Sequence, residues 1–254
     1  MIQWSATLAK HLEENRAVVD EISPRDVIYK SGGPDQYFFW GGQALEAIER
    51  YMALMKLSAV KTVLDLPCGH GRVLRFLRAA FPNAAIDACD IDHDAVDFCT
   101  DKFGARPIYS TTDLASVPLQ ESYDLIWCGS LLTHVHADQW HGLLQLFSAH
   151  LSDTGLLVFT THGRPNVDRL KSKRNELGLS DWAVTAILSD FERFGFGYQN
   201  FPNRDGYGIS LSSASWVCSQ VFQTEGLRLA GYQEGGWGGM QDTVACVSAR
   251  RPLR

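Results

Sequence analysis

The chain has 254 residues, 45% of them hydrophobic, enough to bury a full core as one domain with additions. Its formal charge of −6 and pI near 5.7, with no lysine or arginine block, argue against nucleic acid or an anionic membrane surface as the main partner. The six cysteines (68, 89, 99, 128, 218 and 246) form no C-x-x-C pair, and neither an apolar leader nor a membrane-length apolar run is visible, so the chain reads as cytoplasmic, with reduced, buried thiols.

In chain order, residues 5–22 predict a helix, with Ser5 as cap and Leu8, Leu12, Val18, Val19 and Ile22 as a partial apolar stripe before Pro24. Ser31-Gly32-Gly33-Pro34-Asp35 is a turn cluster. A second helix is expected over 42–56, with Leu45, Ile48, Met52 and Met55 on one face. The aromatic run between them, residues 36–42, either covers a ligand or packs these helices onto a sheet.

From Val60 to His162 strands and helices alternate, the pattern of a parallel sheet covered on both faces. Strands are expected near 60–66, 85–90, 106–110, 123–129 and 155–162, with helices at 71–80, 93–102 and 138–151. The first strand, Val63-Leu64-Asp65-Leu66, runs into a glycine turn, Cys68-Gly69-His70-Gly71. Such a turn brings main-chain N–H groups up to a ligand at a helix start. A carboxylate at a buried strand end, Asp65, is costly unless it holds a partner. Asp90 ends the next strand, where a ribose-binding acid belongs, and Asp92 is placed to cap the following helix. The third glycine of a dinucleotide fingerprint is absent, since the run ends in Val73-Leu74.

Residues 163–212 break the alternation. One helix is clear, capped by Ser180 and ending near Phe194 before Gly195. The glycine- and aromatic-rich stretch 196–208 reads as an irregular loop covering a substrate. A helix capped by Ser212 or Ser213 follows. Two strands, 227–233 and 243–249, are then separated by too few residues for a crossover and must form an antiparallel hairpin.

Asp65-x-x-Cys68-Gly69-x-Gly71, Ala88-Cys89-Asp90-Ile91-Asp92, Ser110-Thr111-Thr112-Asp113-Leu114 and the run Tyr123 to Val135 resemble, in order and spacing, four motifs of the class I S-adenosylmethionine-dependent methyltransferases. The resemblance covers roughly 60–162, and its one departure is Pro67, where many members carry glycine. It implies an α/β fold: a doubly wound, seven-stranded, mostly parallel sheet with an antiparallel last strand. In one domain, 1–58 would be an N-terminal helical cap, 59–162 the cofactor-binding core, 163–212 the substrate cover, and 213–254 the C-terminal helix and hairpin.

It also implies S-adenosylmethionine as cofactor. Asp65, Pro67, Cys68, Gly69 and Gly71 would hold its amino-acid end and Asp90 its ribose hydroxyls. Ile91, Asp113 and Leu114 would meet the adenine, and Cys128, Gly129 and Ser130 would line the methionine, with Tyr37 and Gly41 in a lid. His134 and His162, at strand ends, are the candidate bases for an acceptor hydroxyl. Asp205, Tyr207 and Arg204 are candidate acceptor contacts. No acid or thiol completes a metal set around His134, His136 and His141. The expected partner is a small polar methyl acceptor, a saccharide or secondary metabolite taking the methyl on oxygen or nitrogen. A non-catalytic cofactor-binding module and a nicotinamide-dependent oxidoreductase are the alternatives.

Overall fold

The computed structural model describes residues 18–174 and 177–252. A seven-stranded sheet has the order β3-β2-β1-β4-β5-β9-β8. Its strands are β1 (Thr62–Asp65), β2 (Ala85–Asp90), β3 (Arg106–Tyr109), β4 (Tyr123–Cys128), β5 (Leu151–Thr161), β8 (Leu227–Trp237) and β9 (Gln241–Ser248). The first five run parallel, and β9 enters antiparallel to both β5 and β8. The expected fold class is therefore what the chain adopts.

Side chains alternate between two cores, as the period-2 geometry of a strand requires. Leu64, Ile126, Cys128, Leu157 and Phe159 face one layer. Val63, Leu125, Trp127, Leu156 and Val158 face the other. The helices covering the sheet are α1 (Val27–Leu54), α2 (Leu74–Ala80), α3 (His93–Phe103), α4 (Ala137–His150) and α7 (Ala214–Gln223). Asp92 and Ser213 cap α3 and α7 by accepting from the N–H groups of Ala95 and Trp216.

Three expectations are corrected. Residues 5–17 of the first expected helix lie outside the described residues, and 18–22 carry no helical turn. That segment is held instead by buried Arg75, which donates to the carbonyls of Val19 at 2.6 Å and Glu21 at 3.2 Å. The 36–42 stretch, expected between two helices, lies inside α1. That helix starts at the Asp26 cap and breaks at Gly33 (φ 71°, ψ 176°) before Pro34 restarts it. The 196–208 stretch is not a loop but a two-stranded antiparallel ribbon, β6 (Phe196–Phe201) with β7 (Arg204–Ser212).

The ribbon turns at Pro202-Asn203, where Asn203 takes φ 61°, a conformation asparagine tolerates. A helix not foreseen, α5 (Arg164–Ser172), precedes the expected α6 (Asp181–Phe194, capped by Ser180). Val167, Leu170, Val184, Ile187, Ile209 and Leu211 give this insertion its own apolar cluster. No described helix is long and apolar enough to cross a membrane.

Candidate active site

Strand order reverses between β1 and β4, so their carboxyl ends open a crevice where ligands bind in sheets of this kind. Asp65 ends β1 inside it. The side chain is 1% exposed, and neither carboxylate oxygen has a hydrogen-bond partner. Desolvation, then the neighbouring Asp90, push its carboxyl well above the usual carboxylate range, against the opposing pull of Arg72. Asp90, at the end of β2, is differently placed. Its Oδ2 accepts from the Gly69 N–H at 2.8 Å and its Oδ1 from the Asp92 N–H at 3.0 Å. Burial raises it too, while those N–H groups favour its charged form.

The glycine turn divides its labour. Gly69 has φ +47°, and a Cβ there would meet nothing within 4 Å, so open space lies against the turn. Gly71 (φ +79°) is packed instead, since a Cβ would strike the Phe103 ring and the Cys99 sulfur. Pro67 is half-buried between strand and turn, and the Cys68 side chain is buried. Ile91, beside Asp90, is 55% exposed. Asp113 is exposed and caps a short 3-10 turn (Leu114–Ser116) through the Ala115 N–H at 3.2 Å, with Leu114 buried behind it.

At the end of β4 the Cys128 side chain is packed in the core, so that position presents only backbone to the crevice. Gly129 lies against the Trp127 indole, where a Cβ would not fit. Ser130 takes a left-handed φ of 61°. Its N–H donates to Thr160 Oγ1 at 2.8 Å and its hydroxyl accepts from Gln241 Nε2 at 2.9 Å. A non-glycine residue held this way by neighbours is a common sign of a ligand site. Tyr37 and Gly41 are packing positions in α1. Tyr37 is 2% exposed, with its hydroxyl donating to the His70 carbonyl at 3.4 Å, and Gly41 gives room to the Phe76 ring. Through Tyr37, α1 lies against the glycine turn at His70.

The two histidines separate. His134 Nδ1 lies 2.7 Å from the Gly208 carbonyl oxygen of β7, so Nδ1 carries the proton. Its ring stacks on Tyr207, centroids 4.9 Å apart, and burial lowers its pKa. The ring is therefore neutral, with its Nε2 lone pair unprotonated. His162, 6.2 Å away between centroids, is buried with Nδ1 unpartnered, and desolvation holds its pKa down to about 3. Burial raises the Tyr207 hydroxyl, Arg204 opposes this, and the Asp90 charge adds a smaller push upward.

Sequence reasoning missed Arg72. Burial lowers its pKa, opposed by Tyr37, Asp26 and Asp65. Its guanidinium sits 5.3 Å over the Trp237 ring, and among the described residues it has no ion pair within 4.0 Å. The available signal was a cation directly after Gly71, beside a strand-end acid.

Residues 63–155 match the family model for a methyltransferase domain. That stretch runs from β1 into β5 and resembles the class I S-adenosylmethionine-dependent methyltransferases. The chain is 28% identical over 114 residues to a malonyl-[acyl-carrier protein] O-methyltransferase of Anoxybacillus flavithermus. That match covers 44% of this chain and only 43% of the relative. Among solved structures it resembles an amino pentose methyltransferase of Micromonospora echinaspora involved in calicheamicin biosynthesis (16% identity, TM-score 0.59, 90% of this chain and 98% of that one). It also resembles the plantazolicin methyltransferase BamL (12% identity, TM-score 0.60, 98% and 100%). At such identities the structural likeness speaks for the fold. The family match, the inserted β9 and the missing third glycine set the nicotinamide alternative aside.

The crevice suits S-adenosylmethionine. It holds an unpartnered buried carboxylate, a cation whose charge acts on it, and a turn at Gly69 with room for backbone approach.

Proposed function

We propose that this methyltransferase transfers the methyl group to an oxygen of a small polar acceptor, a saccharide or secondary metabolite, held under the β6–β7 ribbon, with His134 as general base. The observation that carries this is the 2.7 Å bond between His134 and Gly208, which leaves Nε2 as a free lone pair on a neutral ring. A hydroxyl must lose its proton as it attacks, and a base of this kind contributes typically about 10²–10⁴-fold.

S-adenosylmethionine, when bound, supplies an activated sulfonium methyl. The chain's own residues then align, exclude water and take one proton, and alignment alone can be worth about 7–11 kcal/mol. Asp65 would hold the ammonium and Arg72 the carboxylate of its amino-acid end, with Gly69 N–H at the turn. Asp90 would accept from both ribose hydroxyls, a charge-assisted pair. Ile91 and Leu114 would flank the adenine, with Asp113 at its amino edge. Ser130, Gly129 and the Cys128 backbone would follow the methionine chain. His162, sealed from solvent, would serve as the wall behind His134 rather than as a second base. Tyr207 and Phe201 offer ring faces to the acceptor, 4.9 and 5.9 Å from the His134 ring.

The test begins with calorimetric titration against S-adenosylhomocysteine, with a nicotinamide dinucleotide in parallel. Incubation with S-adenosylmethionine and a panel of saccharides, alcohols and amines follows, read by S-adenosylhomocysteine formation. Methylation of hydroxyls, lost in His134→Gln, supports the assignment. Methylation confined to amines and indifferent to His134→Gln would overturn it.

A further inference from the structure

The two acids of the crevice are not equivalent. Both oxygens of Asp90 are already bound by main-chain N–H groups, Gly69 and Asp92, as an ionised carboxylate requires. Neither oxygen of Asp65 is bound by anything, and the side chain is 1% exposed. An ionised carboxylate so isolated, next to a second negative charge, is a costly arrangement.

The groups that face Asp65 do not relieve this. From β2 come Asp90 and Cys89, from the turn Cys68, and from β4 Cys128. The one cation is Arg72, after the turn. Burial raises Cys89 and Cys128, and a hydrogen bond with Cys99 followed by burial raises Cys68, so all three stay neutral and supply no positive charge. Arg72 itself is shared among Tyr37, Asp26 and Asp65 and makes no ion pair within 4.0 Å among the described residues.

We propose that Asp65 is protonated in the free protein and exchanges that proton for the ammonium group of the incoming cofactor. The site thereby selects ligands with a cationic amino-acid tail. The balance is simple: the Asp65 carboxyl loses H⁺ to the buffer, the ligand keeps its ammonium, and a buried carboxylate–ammonium pair replaces a buried neutral acid. This rests on the cofactor reading given above. It adds to it a chemical reason for selectivity, because a nucleoside without the tail has nothing to offer in exchange.

Proton exchange is visible without any acceptor. Calorimetric titration with S-adenosylhomocysteine near pH ~6, in buffers of differing ionisation enthalpy, is expected to show about one proton released per site. Affinity is expected to rise by about tenfold per pH unit until Asp65 ionises unaided. Methylthioadenosine, which keeps the nucleoside but lacks the amino-acid tail, is expected to bind more weakly and release none. Asp65→Asn is expected to bind S-adenosylhomocysteine without proton release. Binding of S-adenosylhomocysteine with no released proton would overturn the exchange and leave the cofactor reading standing. Equal release with methylthioadenosine would overturn it as well, since the proton would then come from elsewhere. Absence of S-adenosylhomocysteine binding would overturn both together. The wild-type comparison of the two ligands decides the matter even if Asp65→Asn fails to fold.

Discussion

His134 carries its proton on the nitrogen that meets the Gly208 carbonyl, and that fixes what its replacement should do. His134→Gln keeps a donor for the Gly208 carbonyl but removes the lone pair. It is expected to lower kcat by about 10²–10⁴-fold while S-adenosylhomocysteine affinity stays within twofold of wild type, by kinetics and calorimetry (order of magnitude from). Because burial lowers the pKa of this histidine, it stays neutral to lower pH than an ordinary imidazole. The acid limb of the rate profile should therefore fall below the usual value of about 6.5, not above it. Asp90→Ala should cost more than about tenfold in cofactor affinity, with the circular dichroism spectrum unchanged. A strand-end acid and a glycine turn announce themselves in sequence because few other reasons justify them, and Asp65, Gly69 and Asp90 were legible that way. Arg72 was not, because a lone arginine after a turn is usually solvated, and only burial against Trp237 distinguishes it.

The ribbon shows why elements are read unevenly. Its residues 196–208 alternate poorly and carry glycines that ordinarily mark loops. Yet Gly208 is glycine because a Cβ would strike the Gln199 carbonyl and the Asn200 backbone across the pair. The strand exists because β7 is bonded to the core as well as to β6. Gly208 N–H donates to His134 at 3.1 Å, Ser210 to Thr133 at 2.9 Å and Ser212 to His162 at 2.9 Å. Such long-range pairings leave no local signature, whereas β1, β2 and β4 are apolar runs that declare themselves. Gly208→Ala should force the ribbon apart and release the His134 proton from its carbonyl. The expected outcome is a lower kcat with S-adenosylhomocysteine affinity retained, and a changed His134 tautomer population by nitrogen-detected NMR.

Within the sheet, buried Asp87 accepts from the Tyr123 hydroxyl at 2.6 Å and from Arg106 at 2.5 and 3.1 Å. Asp87→Ala would strand the buried Tyr123 hydroxyl, while half-exposed Arg106 keeps Glu121, and a loss of about 1–3 kcal/mol in chemical denaturation is expected.

At the scale of the whole molecule, the buried groups set how stability follows pH. His162 is held at a pKa of about 3 in the folded chain against about 6.5 unfolded. Between those values the unfolded state binds the extra proton, so stability is lost as pH falls through that window, by up to about 1.4 kcal/mol per pH unit. His162→Leu should flatten the dependence of the melting temperature on pH between roughly 4 and 6. Asp65 acts with the opposite sign. Its folded pKa is raised, so it favours the folded state at low pH and ceases to do so as pH rises through the folded value. Asp65→Asn should consequently melt at or above the wild-type temperature at neutral pH, the mark of a residue kept for binding at the expense of stability.

The indole of Trp237 packs edge-on against Trp40 at 5.6 Å and Trp127 at 5.4 Å, beneath the Arg72 guanidinium. Trp40 belongs to α1, Trp127 to the strand at the centre of the crevice, and Trp237 to the hairpin that closes the sheet. Three distant parts of the chain thus meet in one chromophore cluster, with a charge poised above it. A ligand that drew Arg72 toward a carboxylate would alter the field on that cluster and thereby its emission. Tryptophan emission followed by stopped flow would then time the loading of the crevice without a label, and Arg72→Met should silence the signal.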